Sequence, residues 1–126
     1  MKNEFTMQVM KQDNNGVSLA PLNVKIQATV CDRFGGCTLL DSQGLWVDGC
    51  DQLFTDDSYR MIVNFNKDDN TLDYLLNIVK MELIDGDQLS VCYSINGVTA
   101  ISSSIDEARD DLKALLTTTN QGQRVG

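Results

Sequence analysis

Residues 33–60 read RFGGCTLLDSQGLWVDGCDQLFTDDSYR, and the order of local signals within them decides the fold class. Gly35-Gly36 closes a run with helical periodicity, and a left-handed glycine is the cheapest way to stop a helix. Residues 37–47 then read as a strand, with Gly44 expected to be a bulge or a point of close backbone approach. Asp48-Gly49 marks a turn, and Asp56-Asp57-Ser58 is expected to close that loop. Tyr59, Met61, Val63 and Phe65 alternate with Arg60, Ile62 and Asn64, which predicts a half-buried strand. A glycine pair that follows a helix and precedes a strand has the reverse polarity of a phosphate-binding loop, so neither GxGxxG nor P-loop chemistry applies.

Outward from this stretch the elements follow in turn. Leu22, Ile26 and Val30 recur at four-residue spacing toward Phe34, so a helix is expected over 20–34, opened by Ser18 and Pro21. Before it, residues 4–11 (EFTMQVMK) alternate and predict a first strand, closed by the turn Asp13-Asn14-Asn15-Gly16. After it, Asp68-Asp69-Asn70-Thr71 offers caps to a helix carrying Leu72, Leu75, Leu76, Val79 and Leu83, which Asp85-Gly86-Asp87 stops. Leu89, Val91, Tyr93 and Ile95 alternate into a strand, and Asn96-Gly97 turns it back along Val98–Ser102. Ser104-Ile105-Asp106-Glu107 fits a capping box that opens a last helix over 105–117, and the polar tail 118–126 is expected to fray. The expected fold is α+β in a single domain. A β-α-β-β-α-β ferredoxin-like antiparallel sheet has helices on one face, followed by a β-hairpin return and a C-terminal helix. The uncovered sheet face makes a homo-oligomer, a dimer or an assembly of dimers, a natural expectation.

Composition narrows the chemistry. No apolar run reaches the roughly 20 residues of a membrane span, and the amino-terminal MKNEFTMQVM is too polar for a signal-peptide core, so a cytoplasmic protein without membrane contact is expected. The four cysteines, Cys31, Cys37, Cys50 and Cys92, lack the spacing of a secreted scaffold and read as free, buried thiols. With no CxxC pair and no histidine, a zinc site is not expected, and Asp48-x-x-Asp51 and Asp85-x-Asp87 are too sparse for a calcium loop. The lack of histidine also removes the commonest general base and the Ser-His-Asp and Cys-His arrangements, so no catalytic residue and no cofactor is expected. A net charge of −8 repels nucleic-acid backbones, and a phosphate site would have to be built locally from arginines and backbone N–H groups.

Among candidate binding residues, Arg33 sits in the last turn of the first helix, where it either complements the helix dipole or holds an anion beside Gly35-Gly36. Arg60 falls on the strand face opposite Tyr59 and Met61, as a salt bridge or a ligand contact. Trp46 reads as core or as a base-stacking ring, with Phe34, Tyr59 and Tyr93 as alternatives. Arg109, three residues after Asp106, is either a surface ion pair or a pyrophosphate fork. The pairs Asp56-Asp57, Asp68-Asp69 and Asp110-Asp111 fall at a turn, a helix start and a helix face, not in a catalytic constellation.

The succession Phe34-Gly35-Gly36-x-Thr38, Gly44-x-Trp46, an acidic turn and Ser58-Tyr59 resembles the Thoeris anti-defence proteins of phages. That resemblance implies a viral protein in the cytoplasm of an infected bacterium that is not an enzyme. It would be a homo-oligomeric, nucleotide-binding sponge that sequesters a cyclic ADP-ribose isomer without cleaving it, with cyclic oligonucleotide signals as a second ligand class. By residue type it implies Arg33, Arg60, Arg109 and the hairpin Asn96 as ligand-binding residues, with Trp46, Phe34 or Tyr93 stacking on the base. The alternative is an acidic inhibitor that binds a protein by imitating nucleic acid, with the paired aspartates lining one face.

Overall fold

The computed structural model describes residues 2–125, with side chains as far as residue 118. Five strands form one antiparallel sheet in the order β2-β3-β1-β4-β5. They are β1 (Asn3–Met10), β2 (Thr38–Val47), β3 (Leu53–Phe65), β4 (Val91–Ile95) and β5 (Val98–Ser102), with helices α1 (Ala20–Phe34), α2 (Thr71–Lys80) and α3 (Ile105–Val125). The first four strands have the ferredoxin-like arrangement, and β5 extends the sheet beside β4 through the Asn96-Gly97 turn, where both residues have positive φ.

Strand alternation sorts the sheet into two faces. Phe5, Met7 and Val9 of β1, Met61, Val63 and Phe65 of β3, and Val91, Tyr93 and Ile95 of β4 all turn toward the helices. There they pack against Ile26 and Val30 of α1, Leu75, Ile78 and Val79 of α2, and Ala108 and Leu112 of α3. All of these side chains are buried, and their apolar area is the main driving force for the fold. The opposite face, which carries Thr6, Gln8, Arg60, Cys92 and Ser94, is uncovered.

Helix ends follow the local chemistry. Gly35 closes α1 with φ 87°, its N–H donating to the Cys31 carbonyl at 2.9 Å. Ser104 caps α3 by accepting from the Glu107 N–H at 3.2 Å. The second helix widens after Lys80 into a π turn, Met81–Asp85, which ends at Gly86. That third-layer detail has no signal in the apolar spacing.

Three readings need correction. The expected loop before Tyr59 is largely strand, because β3 starts at Leu53 and its first residues pair with β2 from Val47 back to Gln43. Asp56 and Asp57 are therefore strand residues rather than the end of a turn. Gly44 is no bulge, since it pairs regularly with Asp56; a Cβ there would lie 3.3 Å from the Gln8 amide nitrogen, so it is a point of close approach by a side chain. The cysteines are free, yet none is buried: Cys31 and Cys50 are exposed, and Cys37 and Cys92 are intermediate. Helix α3 also continues past 117, and the expectation of a frayed tail concerns side chains outside the described residues. No helix among the described residues is long and apolar enough to cross a membrane.

Candidate functional site

The uncovered sheet face holds a cavity of about 290 Å³, lined among others by Thr6, Gln8, Ser42, Arg60, Ser94 and Thr99. Pairing explains why these side chains meet. Gln8 of β1 lies directly opposite Arg60 of β3, which in turn lies opposite Leu40 of β2. Thr6 lies opposite Ser94, and Ser94 opposite Thr99, so the floor continues across β4 and β5. Alternate residues of β1, β2 and β4, with Arg60 of β3 and Thr99 of β5, thus meet on one polar surface.

Hydrogen bonds hold that surface in place. The Thr6 and Ser94 hydroxyls bond to each other across the β1–β4 seam. Ser58, which is fully buried, shares a hydrogen bond of 2.7 Å with the Ser42 hydroxyl. The Gln8 amide nitrogen donates to the Ser58 oxygen at 3.1 Å. Gly44 leaves the room that this amide occupies. Arg60 is the one charged residue lining the cavity among the described residues. A lone guanidinium among hydroxyls and amides can take a carboxylate through two parallel N–H donors.

The other candidate residues lie elsewhere. Arg33 stacks over the Tyr74 ring at 4.7 Å, and Phe34 packs between Phe65 and Tyr74, so both line a separate recess of about 200 Å³ at the α1–α2 corner. Arg109 pairs with Asp106 at 3.3 Å on the exposed surface of α3. Asn96 works as a strand clamp: its Oδ1 accepts from the Glu4 N–H and its own N–H donates to the Glu4 carbonyl, both at 2.8 Å. The Tyr93 ring is 1 % exposed and faces Phe5, so neither ring face is open to a base, although the residue borders the cavity. Its hydroxyl bonds Ser102 at 2.6 Å, and Ser102 donates to Asp111 at 2.8 Å. Burial, against the opposing Ser102 bond, raises the Tyr93 pKa. Trp46 is not core; it is 48 % exposed and donates to Asp56 at 2.9 Å. Of the seven candidate residues, Arg60 and Tyr93 line the cavity, and the Tyr93 ring is turned into the core.

Sequence reasoning missed Gln8, Ser42, Thr6 and Ser94. The signal was present as polar positions alternating with the apolar ones on β1, β2 and β4, which are easily read as plain solvent-facing residues. The paired aspartates do not share a face. Asp56 meets Trp46, and its neighbour Asp57 lies on the opposite side of β3, beside Gln43 at 3.4 Å. Asp68 caps the start of α2, and Asp111 receives Ser102. This scatter argues against an imitation of nucleic acid.

No protein-family model matches the chain. No curated protein matches it either. Among solved structures, a phage SAM lyase in complex with S-methyl-5'-thioadenosine matches with a TM-score of 0.62 and 16 % identity, covering 82 % of this chain and 90 % of that one. A phage SAM lyase in the apo state matches with a TM-score of 0.58 and 16 % identity, over 81 % and 89 % of the two chains. At this identity the likeness shows the fold. It also overturns the expectation of a non-enzymatic Thoeris sponge for a cyclic ADP-ribose isomer. The solved proteins that share the architecture are a lyase, and the ligand in one of them is a thioether nucleoside rather than a cyclic nucleotide.

Proposed function

We propose that this chain binds S-adenosylmethionine in the open-face cavity and cleaves its carbon–sulfur bond as a lyase, releasing S-methyl-5'-thioadenosine. The observation that carries the reading is the shared architecture with phage SAM lyase across 82 % of the chain, including the form that holds that nucleoside.

Charge supports it. A net charge of −8 opposes an anionic signal, but S-adenosylmethionine has a sulfonium and an ammonium against a single carboxylate, and an acidic protein concentrates such a cation. The cavity supports it as well. Its volume of about 290 Å³ is at the lower end for small-molecule sites. Arg60 is placed to hold the carboxylate, and the hydroxyls of Thr6, Ser42, Ser94 and Thr99 offer partners to the ribose and adenine.

The chemistry asks little of protein side chains. A sulfonium leaves as a neutral thioether: the C–S bond on the aminobutyrate side breaks with both its electrons staying on sulfur, while an oxygen of the substrate's own carboxylate forms the new C–O bond to that carbon and closes a lactone. Moving the charged sulfur from water into a cavity whose lining has no carboxylate to hold the sulfonium favours the charge-dispersed transition state. The reading implies a cytoplasmic protein, because the substrate is made there.

Incubation of the purified chain with S-adenosylmethionine, followed by chromatography and mass spectrometry of the supernatant, tests it. Accumulation of methylthioadenosine above the spontaneous rate is expected. A time course indistinguishable from buffer alone would sink the proposal.

A further inference from the structure

Gln8 and Arg60 are cross-strand partners, so their side chains rise side by side from the sheet into the same cavity. One is a fixed cation. The other is an amide whose two ends are told apart by its surroundings. Ser58 is fully buried; its hydroxyl shares a hydrogen bond with the Ser42 hydroxyl and donates to the Ser42 carbonyl at 3.5 Å. With its single proton directed to the Ser42 side, the Ser58 oxygen is left as an acceptor, and it receives the Gln8 amide nitrogen at 3.1 Å. Gly44 stands where any Cβ would press on that nitrogen at 3.3 Å. Gln8 Oε1 accepts no hydrogen bond among the described residues and stays accessible.

We infer that Gln8 and Arg60 form a clamp for the zwitterionic head of an α-amino acid. The guanidinium takes the carboxylate, and Gln8 Oε1, turned to the cavity by Ser58, accepts from the ammonium. This rests on the lyase reading and sharpens it, because it names the part of the substrate that this pair recognises. Gln8 is a binding residue here, and Ser58 is a positioning residue that acts through it.

The clamp separates three ligands that share the thioadenosyl group. S-adenosylmethionine and S-adenosylhomocysteine both carry the amino-acid head, and methylthioadenosine lacks it. Isothermal titration calorimetry of the full chain reads the affinity for S-adenosylhomocysteine and methylthioadenosine, and KM reads that for S-adenosylmethionine, which the chain consumes. Gln8→Leu removes a hydrogen bond to a charged group, so affinity for the two head-bearing ligands falls about ten-fold or more while that for methylthioadenosine holds. Ser58→Ala frees the amide to turn and gives the same selective loss, smaller in size; it decides the matter if Gln8→Leu does not fold. Equal weakening of all three ligands, or none, overturns the clamp and leaves the lyase reading intact. A wild-type chain that binds none of the three overturns both.

Discussion

Trp46 lies flat on Phe54, with ring centroids 4.4 Å apart and planes 14° from parallel. The pair sits where β2 and β3 have only each other: β1 pairs with β3 from Ser58 onward, so Leu53–Asp57 and their partners form a two-stranded arm beyond the sheet. The arm also exposes Leu45, Val47 and Leu53 at 65 %, 57 % and 62 %. A ribbon of two strands is marginal by itself, and a stacked aromatic pair adds roughly 0.5–1.5 kcal/mol beyond burial.

Phe54→Ala is therefore expected to loosen the arm without unfolding the domain. As Trp46 is the only tryptophan, its emission reports the arm directly, and it should shift to the red at unchanged protein concentration. The urea midpoint followed by far-ultraviolet circular dichroism should move by no more than about 1 kcal/mol in stability. A collapse of the main transition would show instead that the arm belongs to the cooperative core.

Three arginines that looked equivalent in the sequence should separate under substitution. Arg60→Ala removes the cavity's charged residue, and binding of S-adenosylmethionine should weaken by roughly 1.5–3 kcal/mol, the range for a hydrogen bond to a charged group. Arg33→Ala loses a cation–π contact with Tyr74, and Arg109→Ala loses an exposed ion pair. Each should leave binding unchanged and lower stability by about 1 kcal/mol or less. Calorimetric titration of the three variants with S-adenosylhomocysteine, which carries the same carboxylate and no sulfonium to cleave, checks this; a binding defect in Arg33→Ala or Arg109→Ala comparable to that of Arg60→Ala would move the site.

The order of elements was legible because apolar periodicity records which residues face a core. Phe5-Met7-Val9 and Met61-Val63-Phe65 follow a period of two, and Ile26-Val30 a period of four. Turn chemistry at Gly35 and Asn96-Gly97 then set the boundaries. The cavity was not legible, since Thr6, Gln8, Ser42 and Ser94 become neighbours only through strand register, and a polar residue that faces water looks the same as one that lines a site. Arg60 stood out by charge, but charge gave Arg33 and Arg109 equal weight. The arm was missed because Asp56-Asp57-Ser58 has turn composition, and pairing with β2 overrode it.

Gly86 is required by crowding rather than by its backbone angles. It follows the π turn with φ −82°, which any residue can adopt, but a Cβ there would stand 2.3 Å from the Glu82 carbonyl oxygen and 3.4 Å from Leu22. Gly86→Ala must displace the turn, at a cost of about 1–3 kcal/mol. Urea denaturation at constant pH is the measurement. A variant within about 0.5 kcal/mol of wild type would mean that the turn relaxes freely.

Glu82 supplies the pH dependence. Its carboxyl is 1 % exposed on the π turn, where Oε2 accepts the Met10 N–H at 2.9 Å while Oε1 is a buried oxygen without a hydrogen-bond partner. Asn23 grips the other side of the same residue, its amide donating to the Met10 carbonyl at 3.1 Å, and its Oδ1 is likewise buried and unpartnered. Burial raises the Glu82 pKa to about 7, and the Met10 N–H offsets only part of that. The folded state therefore prefers the protonated acid. Its contribution is complete below the ordinary carboxylate range near 4.5 and is lost as pH rises through about 7. Between those limits, this group should lower stability by roughly 3 kcal/mol at most. Glu82→Gln keeps an acceptor for Met10 and places a neutral donor where the carboxylate would otherwise be charged. It should flatten the stability profile between pH 5 and 8 and be more stable than wild type at pH 8. Denaturation midpoints at closely spaced pH values check both; parallel profiles for the two proteins would show that Glu82 stays ionised in the fold.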